Sequence, residues 1–478
     1  MKDLLYSIST AGPAAQILLR SGDRAVTRTE LLLAVEGLAR RLRELDVHSI
    51  ALYADNGIDW IQVDLACHAS GVRIVPVPLF FSAAQVRHTI ESSGVDALIT
   101  DQKLPAAPGS AKQFSCGAMS LYLLENQQAA LIPDGTQKIT FTSGTTGAPK
   151  GVCLSADQQI AVAIALASRI GVNGPTHLCV LPLSTLLENL AGVYVPLLAG
   201  GTVIAPPLAE VGLAGSSSLD VPVLLDCITK HQPHSLILVP EILLAITVAT
   251  ECGWRPPSSL HFVAVGGATV AAELILRARK AGIPVYEGYG LSECASVVTL
   301  NLPDNDRLGT VGRPLPHVTI AIDNDEIVVS GSEFLGYVGQ PDSWNAGPVR
   351  TGDIGHIDGD GFIHVSGRAK NQIITSYGRN LSPEWVASEL TAGPLLQQVR
   401  VVGDARPFCV ALVYSANPST TDVEIASWIR NVNQRLPDYA RIVDWRPLPE
   451  PMAGTATEEQ YRDLIEQMYE SRQEASNQ

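Results

Sequence analysis

The chain has 478 residues, 46% of them hydrophobic and 17% charged, and a formal net charge of −15 at pH 7. The length excludes a single simple core and makes two or more domains the expectation, and the composition excludes a disordered chain. The carboxylate excess excludes a nucleic-acid-binding surface, which needs clustered Lys and Arg, but leaves room for a local basic loop that holds a small anion. The eight cysteines form no C-x-x-C pair, so neither a zinc site nor a redox motif is expected. Cys153 and Cys294 lie beside motifs described below; a nucleophilic thiol and a small buried packing residue are both open there. The amino terminus lacks the order of a signal peptide, and no apolar run approaches the roughly 18 residues of a membrane span, so the expected setting is cytoplasmic.

In chain order, residues 29–46 carry apolar side chains at helical spacing and predict an amphipathic helix opening after Thr29. "IALYADNG", "GVRIVPVPLF" and "VDALIT" read as buried strands, with "WIQVDLACHAS" a helix between the first two. The grammar repeats in the middle. "THLCVLPLS", "TVIAPP", "SLILVP", "HFVAVGGA" and "IPVYEGYG" read as strands; "LENLAGVYVPLLAGG", "VPVLLDCITKHQ" and "VAAELILRARKAG" read as helices. Such alternation predicts an α/β domain of layered subdomains with a largely parallel sheet. From about Asp304 two-residue periodicity takes over, with turns at Asp323-Asn324-Asp325 and Asp358-Gly359-Asp360-Gly361, and predicts a β-rich part. A small α+β unit follows "SGR". The expected division is therefore a large domain, 1–369, and a small mobile carboxy-terminal domain, 370–478. The charged tail, "TEEQYRDLIEQMYE", reads as a solvated helical cap.

The densest chemistry lies at 141–151, "FTSGTTGAPKG", where four hydroxyls, three glycines and one lysine follow the β-favouring Lys138-Ile139-Thr140. A glycine- and hydroxyl-rich turn after a strand offers backbone N–H groups and side-chain donors to a phosphate chain. It is not a Walker loop: Gly147 precedes Lys150 by three positions, and Gly151 stands where a magnesium-holding hydroxyl is needed. A metal ligand must come from elsewhere. Glu293, behind a glycine-containing turn after a buried strand, has the chemistry of a hard-cation ligand.

This loop resembles the signature of the adenylate-forming ligases, the superfamily of acyl-CoA synthetases, luciferases and peptide-synthetase adenylation domains. Three further segments agree in order and approximate spacing: "EGYGLSE" (287–293), "RTGDIGHIDGDGFIHVSGRAKNQI" (350–373) and "SYGRNLSPEWVASEL" (376–390). The resemblance implies ATP-dependent activation of a carboxylic acid as acyl-AMP, release of pyrophosphate and transfer of the acyl group to a thiol. Two anions meet in the first step, so the site must neutralise charge. By resemblance, Ser143, Gly144, Thr145, Thr146, Gly147 and Lys150 hold the β- and γ-phosphates of ATP. Within "EGYGLSE", Glu287, Gly288 and Tyr289 line the adenine, Ser292 meets the α-phosphate, and Glu293 ligates Mg²⁺. Asp353 and Arg368 contact the ribose. Gly266, Gly267 and Ala268 border adenine and acyl group, and Gly267 and Gly290 border the acyl pocket together with Thr185 and Glu188. Lys370 is the hinge of the small domain, and Gly378 lines the thiol tunnel.

Two departures from the family pattern stand out. Thr185 occupies a position where many relatives carry an aromatic or histidine gate. The tail has no lysine where the family places one between carboxylate and α-phosphate; Arg462 is the nearest cation, with Arg441 and Arg446 upstream. Arginine differs from lysine in reach and geometry. The leading expectation is a medium- or long-chain fatty acid as substrate and coenzyme A as acceptor. Transfer to a carrier protein's phosphopantetheine or to an amine stays open, as does a degenerate nucleotide-binding protein without catalysis.

Overall fold

The computed structural model describes residues 4–102, 113–116, 118–124, 129–142, 149–215, 218–376, 380–415, 417–452, 461 and 463–469. Two large sheets dominate. The first runs Arg313–Pro314, Ser296–Leu300, Val285–Leu291, Phe262–Val265, Ser235–Leu238, Thr176–Leu178, Thr202–Ile204, Ile17–Ser21, Arg24–Thr27. The second runs Gly336–Tyr337, Lys150–Leu154, Lys138–Thr142, Arg73–Pro76, Ser49–Tyr53, Ala97–Thr100, Met119–Leu123, Gln113–Cys116. Both are mixed: parallel centres carry antiparallel strands at their edges. The central strands are covered on both faces, which is why "SIALY" and "SLIL" are nearly unbroken apolar runs.

Helices Arg28–Glu44, Ile58–Ser70 and Ala156–Ile170 fill the layer between the sheets and share one core with Leu19, Leu52, Ile74 and Leu154. Helices Val221–His231, Pro240–Glu251 and Ala272–Lys280 cover the outer face of the first sheet. Helix Ala83–Ser93 packs outside the second. A polar bolt crosses the middle layer. Lys138 Nζ lies 2.9 Å from Asp64 Oδ1, and Asn189 and Tyr194 donate to Asp64 Oδ2 at 3.0 and 2.7 Å. Burial pushes the Asp64 carboxyl up, yet Lys138 and these donors hold it below its ordinary value.

Three expectations need correction. The first helix is capped by Thr27, not Thr29, because Thr27 accepts from Glu30 N–H while Glu30 accepts from Thr27 N–H, a capping box. Pro240, the last residue of the expected strand "SLILVP", instead opens helix Pro240–Glu251, in whose first turn proline is tolerated. The tail is more than a solvated cap: residues 463–469 are helical, and Ile465, Met468 and Tyr469 are buried against Val402, Val410 and Leu412.

"LENLAGVYVPLL" is helical as expected, but begins as a π-helix, Glu188–Tyr194, before one α-turn, Val195–Leu198. Pro196 has no N–H to return to the Gly192 carbonyl four residues back, and that carbonyl faces the Cys179 thiol at 4.0 Å instead. Beyond the large sheets, strands Thr319–Asp323, Glu326–Ser330, Val349–Ile357 and Ile363–Arg368 form an antiparallel sheet. After the turn Ala369–Asn371, a separate core is built from residues 373–442 around strands Gln398–Val402, Cys409–Tyr414 and Ile442–Pro447. Among the described residues no helix is long and apolar enough to cross a membrane.

Candidate active site

Parallel strands of an open α/β sheet end at a common edge, where loops can converge on a ligand. Here that edge gathers the segments singled out in the sequence. Strand Phe262–Val265 ends at Gly266, whose place admits no side chain: a Cβ there would lie 2.8 Å from the Gly288 carbonyl. Gly267 takes a left-handed φ of 83°, and Gly267 and Ala268 are exposed at the edge. The neighbouring strand, Val285–Leu291, carries Glu287, Gly288, Tyr289 and Gly290. A Cβ on Gly290 would meet the Ser296 carbonyl at 1.7 Å, so this glycine serves the close pairing with strand Ser296–Leu300.

Two polar clusters occupy the edge. In the first, the Tyr289 hydroxyl donates to Asp353 Oδ2, and Arg368 Nε lies 2.8 Å from Asp353 Oδ1. Asp353 and Arg368 face each other as register partners across strands Val349–Ile357 and Ile363–Arg368. Burial raises the Asp353 carboxyl; the Tyr289 bond and Arg368 oppose that rise, and Glu293 adds to it. Burial and the same aspartate push the Tyr289 phenol up, so it stays a donor. In the second, the Tyr337 hydroxyl donates to Glu293 Oε1 at 2.7 Å, and Lys150 Nζ sits 5.6 Å from the Tyr337 ring centroid. The Glu293 turn is held by Gln158, which donates to the carbonyls of Glu293 (3.3 Å) and Ser332 (2.8 Å). Glu293 acts electrostatically on Asp353, and Arg368 on Tyr337, so the two clusters share one field. Ser292 is half-buried in the same short turn as Glu293.

Glu287 is buried behind them, and desolvation raises its carboxyl to about 8 against a smaller opposing effect of Arg279. The thiols of Cys153 and Cys294 are buried and pushed up, Cys153 to about 11, which removes them as nucleophiles.

Behind the edge, an apolar cavity runs between the inner face of the first sheet and helices Ala156–Ile170 and Glu188–Leu198, lined among others by Leu166, Leu187, Ala191, Phe262, Ala264 and Val297. On strand Phe262–Val265 the lining comes as near to Gly266 as Ala264, two residues before it. Its other end reaches His177 and Ser235, which stand in register with Phe262. Glu188 is fully buried in the cavity's flanking helix, where Oε1 meets His177 Nε2 at 3.0 Å; His177 Nδ1 meets Ser235 Oγ at 2.9 Å. Thr185 uses its hydroxyl locally, donating to the Pro182 carbonyl at 2.6 Å.

Ser143, Gly144, Thr145, Thr146, Gly147, Gly378 and Arg462 lie outside the described residues. Lys370 is exposed in the turn Ala369–Asn371. Arg441 and Arg446 are engaged within the small unit, the first with the carbonyls of Asn433 and Leu436, the second with Asp444. Sequence reasoning passed over Tyr337 and Gln158. A two-residue strand such as Gly336–Tyr337 has no periodicity to read, and Gln158 looks like any helix-start residue.

A family model described as AMP-binding enzyme matches residues 9–337, and one described as AMP-binding enzyme C-terminal domain matches residues 370–473. A long-chain-fatty-acid–CoA ligase of Mycobacterium bovis is 27% identical over 473 residues, covering 81% of this chain and 77% of that one. A 2-succinylbenzoate–CoA ligase of Bacillus subtilis is 27% identical over 418 residues, covering 81% and 82%. Among solved structures, the O-succinylbenzoate coenzyme A synthetase of Bacillus subtilis in complex with AMP superposes with a TM-score of 0.75 at 24% identity, covering 96% of this chain and 97% of that one. The same enzyme in complex with ATP and magnesium ion gives 0.73 at 23%, covering 95% and 97%.

Proposed function

The chain belongs to the AMP-binding enzyme family, and from that premise we propose that it activates an apolar carboxylic acid, a medium- or long-chain fatty acid, for transfer to coenzyme A. It is an AMP-forming acid–thiol ligase; the acid is the finer question. The relatives' names include long-chain fatty acid, 2-succinylbenzoate and feruloyl substrates. The observation that favours a fatty acyl chain is the apolar cavity whose lining includes Ala264, two residues before Gly266. The lining residues Ala264 and Phe262 lie two residues apart on one strand, roughly 7 Å at the usual rise per residue. An apolar wall of that length gains by covering methylenes, about 0.8 kcal/mol for each one removed from water.

In this reading the residues act as follows. Lys150, with the loop before it, holds the outer phosphates of ATP. Asp353 accepts the ribose hydroxyls while Arg368 keeps it ionised, and Tyr289 packs by the adenine with Gly266, Gly267, Ala268 and Gly288. Glu293 has the donor set a hard cation requires: a half-buried carboxylate with Oε1 held by Tyr337 and no hydrogen bond to Oε2 among the described residues. Magnesium bound there supplies charge neutralisation between triphosphate and incoming carboxylate. The units 1–369 and 370–478 are read as the large and small domains, hinged at Lys370. Arg462 is the candidate for the cation missing from the tail.

The test is pyrophosphate release measured with octanoate, palmitate, 2-succinylbenzoate and ferulate, each with and without coenzyme A. We expect release with the fatty acids and a coenzyme A thioester only when the thiol is present. Preference for the aromatic acids would overturn the fatty-acyl reading, and release without thioester would overturn coenzyme A as acceptor.

A further inference from the structure

Tyr337 joins the two ends of the phosphate side of the site. Its hydroxyl donates to Glu293 Oε1 at 2.7 Å, and its ring faces Lys150 Nζ at 5.6 Å from the centroid. The residue is braced on several sides. Its N–H donates to Ser343 Oγ at 2.9 Å, its carbonyl accepts from Trp344 Nε1 at 3.0 Å, and Phe334 packs edge-on against its ring at 4.8 Å. The strand Gly336–Tyr337 pairs with Lys150–Leu154, Tyr337 opposite Val152, so the tyrosine and Lys150 ride on adjacent strands. Gly336 makes the brace fit: its φ is 134°, and a Cβ there would lie 2.4 Å from Trp344 Cδ1. A rotatable phenol on a loose loop would need none of this scaffolding.

We propose that Tyr337 is a positioning residue that orients Glu293 toward the magnesium–ATP complex and sets Lys150 beside it. The inference rests on the reading of Glu293 as metal ligand given above. A carboxylate carries about four acceptor directions. Occupying Oε1 with a fixed donor leaves Oε2 as the oxygen presented to a cation, and removes the rotation that the carboxylate would otherwise have to give up on binding. Hydrogen-bond partners of ligating groups commonly matter by about 10- to 100-fold in metal affinity. The ring adds a weaker attraction for the Lys150 ammonium held over its face.

The experiment compares the full-length protein with its Tyr337→Phe variant, which keeps the ring and loses only the hydroxyl. Mn²⁺ binding is followed by electron paramagnetic resonance in the presence of α,β-methylene ATP, and the Mg²⁺ requirement of pyrophosphate release is measured alongside. We expect Mn²⁺ affinity to fall by about 10-fold, with the KM for the acid and metal-free nucleotide binding within two-fold of the parent. Trp344→Phe, which loosens the brace without touching Glu293, should shift Mn²⁺ affinity the same way by a smaller factor. Unchanged Mn²⁺ affinity in Tyr337→Phe overturns the proposal, as does a defect confined to kcat at saturating metal. A parent protein with no magnesium-dependent pyrophosphate release would instead bring down the reading of Glu293.

Discussion

At Glu287 a carboxyl has been taken out of water beside a cation that is already committed. Arg279, whose charge favours the ionised form, is held by Asp306 at 2.6 Å and by the Val285 carbonyl. Desolvation therefore wins and the group stays protonated to about 8, against 4.5 in the unfolded chain. Between those values the folded state holds a proton that the unfolded state has lost. Stability should accordingly be greatest below about pH 4.5 in this respect and decline as pH rises to about 8. Urea denaturation at steps from pH 5 to 8 should show a loss on the order of a few kcal/mol, and Glu287→Gln should flatten the slope. A variant with the parent's slope would reassign it to other groups. The residue scale is where sequence reading reached furthest in identity and least in state. "EGYGLSE" picks out Glu287, Tyr289 and Glu293, but whether a carboxyl is ionised depends on neighbours such as Arg279 and Asp306, which lie outside the motif and meet Glu287 only in the fold.

Elements differ in how much room they leave. The π-helix Glu188–Tyr194 brings Gly192 against the buried His177–Glu188 pair, where a Cβ would stand 2.5 Å from Glu188 Oε1 and 2.8 Å from His177 Nε2. Gly192→Ala should cost about 1–3 kcal/mol in urea unfolding, since neither partner can retreat from a fully buried pair. Gly37 gives the contrast. It lies inside helix Arg28–Glu44 with nothing within 4 Å of its Cβ position, so Gly37→Ala should stabilise by about 0.5–1 kcal/mol. A destabilised Gly37→Ala or a neutral Gly192→Ala would contradict this packing. Strands and most helices were legible because buried parallel strands and amphipathic faces repeat at fixed periods. The π-turn was not, because it follows from one missing N–H at Pro196 acting on a carbonyl four residues away. The apolar cavity was not legible either, since its walls come from helices and strands separated by up to 134 residues, Leu166 to Leu300.

On the scale of the molecule, Arg277 ties the small unit to the large one. It pairs with Glu251 at 2.8 Å and donates to the carbonyl of Ala392, which is itself buried against the outer helices of the first sheet. Arg277→Ala should remove the bond to the Ala392 carbonyl, the part of this arrangement that crosses to the small unit, worth about 1 kcal/mol net or roughly five-fold in the population of detached conformers. Limited proteolysis at the exposed turn Ala369–Asn371 should then accelerate by a similar factor. Equal cleavage rates would show that other contacts carry the docking. The β-rich part and the small unit were both expected from the change in periodicity near Asp304 and after Arg368, but nothing in the sequence marks Arg277 as the residue that reaches across.

The bolt of Asp64, Lys138, Asn189 and Tyr194 has a bearing on how the catalytic edge keeps its shape. Lys138 stands on the strand that leads directly into the glycine-rich loop, whereas Asn189 and Tyr194 belong to the helix that walls the apolar cavity. Sliding one past the other would leave the Lys138 ammonium buried without its carboxylate, so the start of the glycine-rich loop and the wall of the apolar cavity keep a common datum. Whatever the smaller unit does, the spacing between that loop and the cavity wall is set from deep inside the larger one.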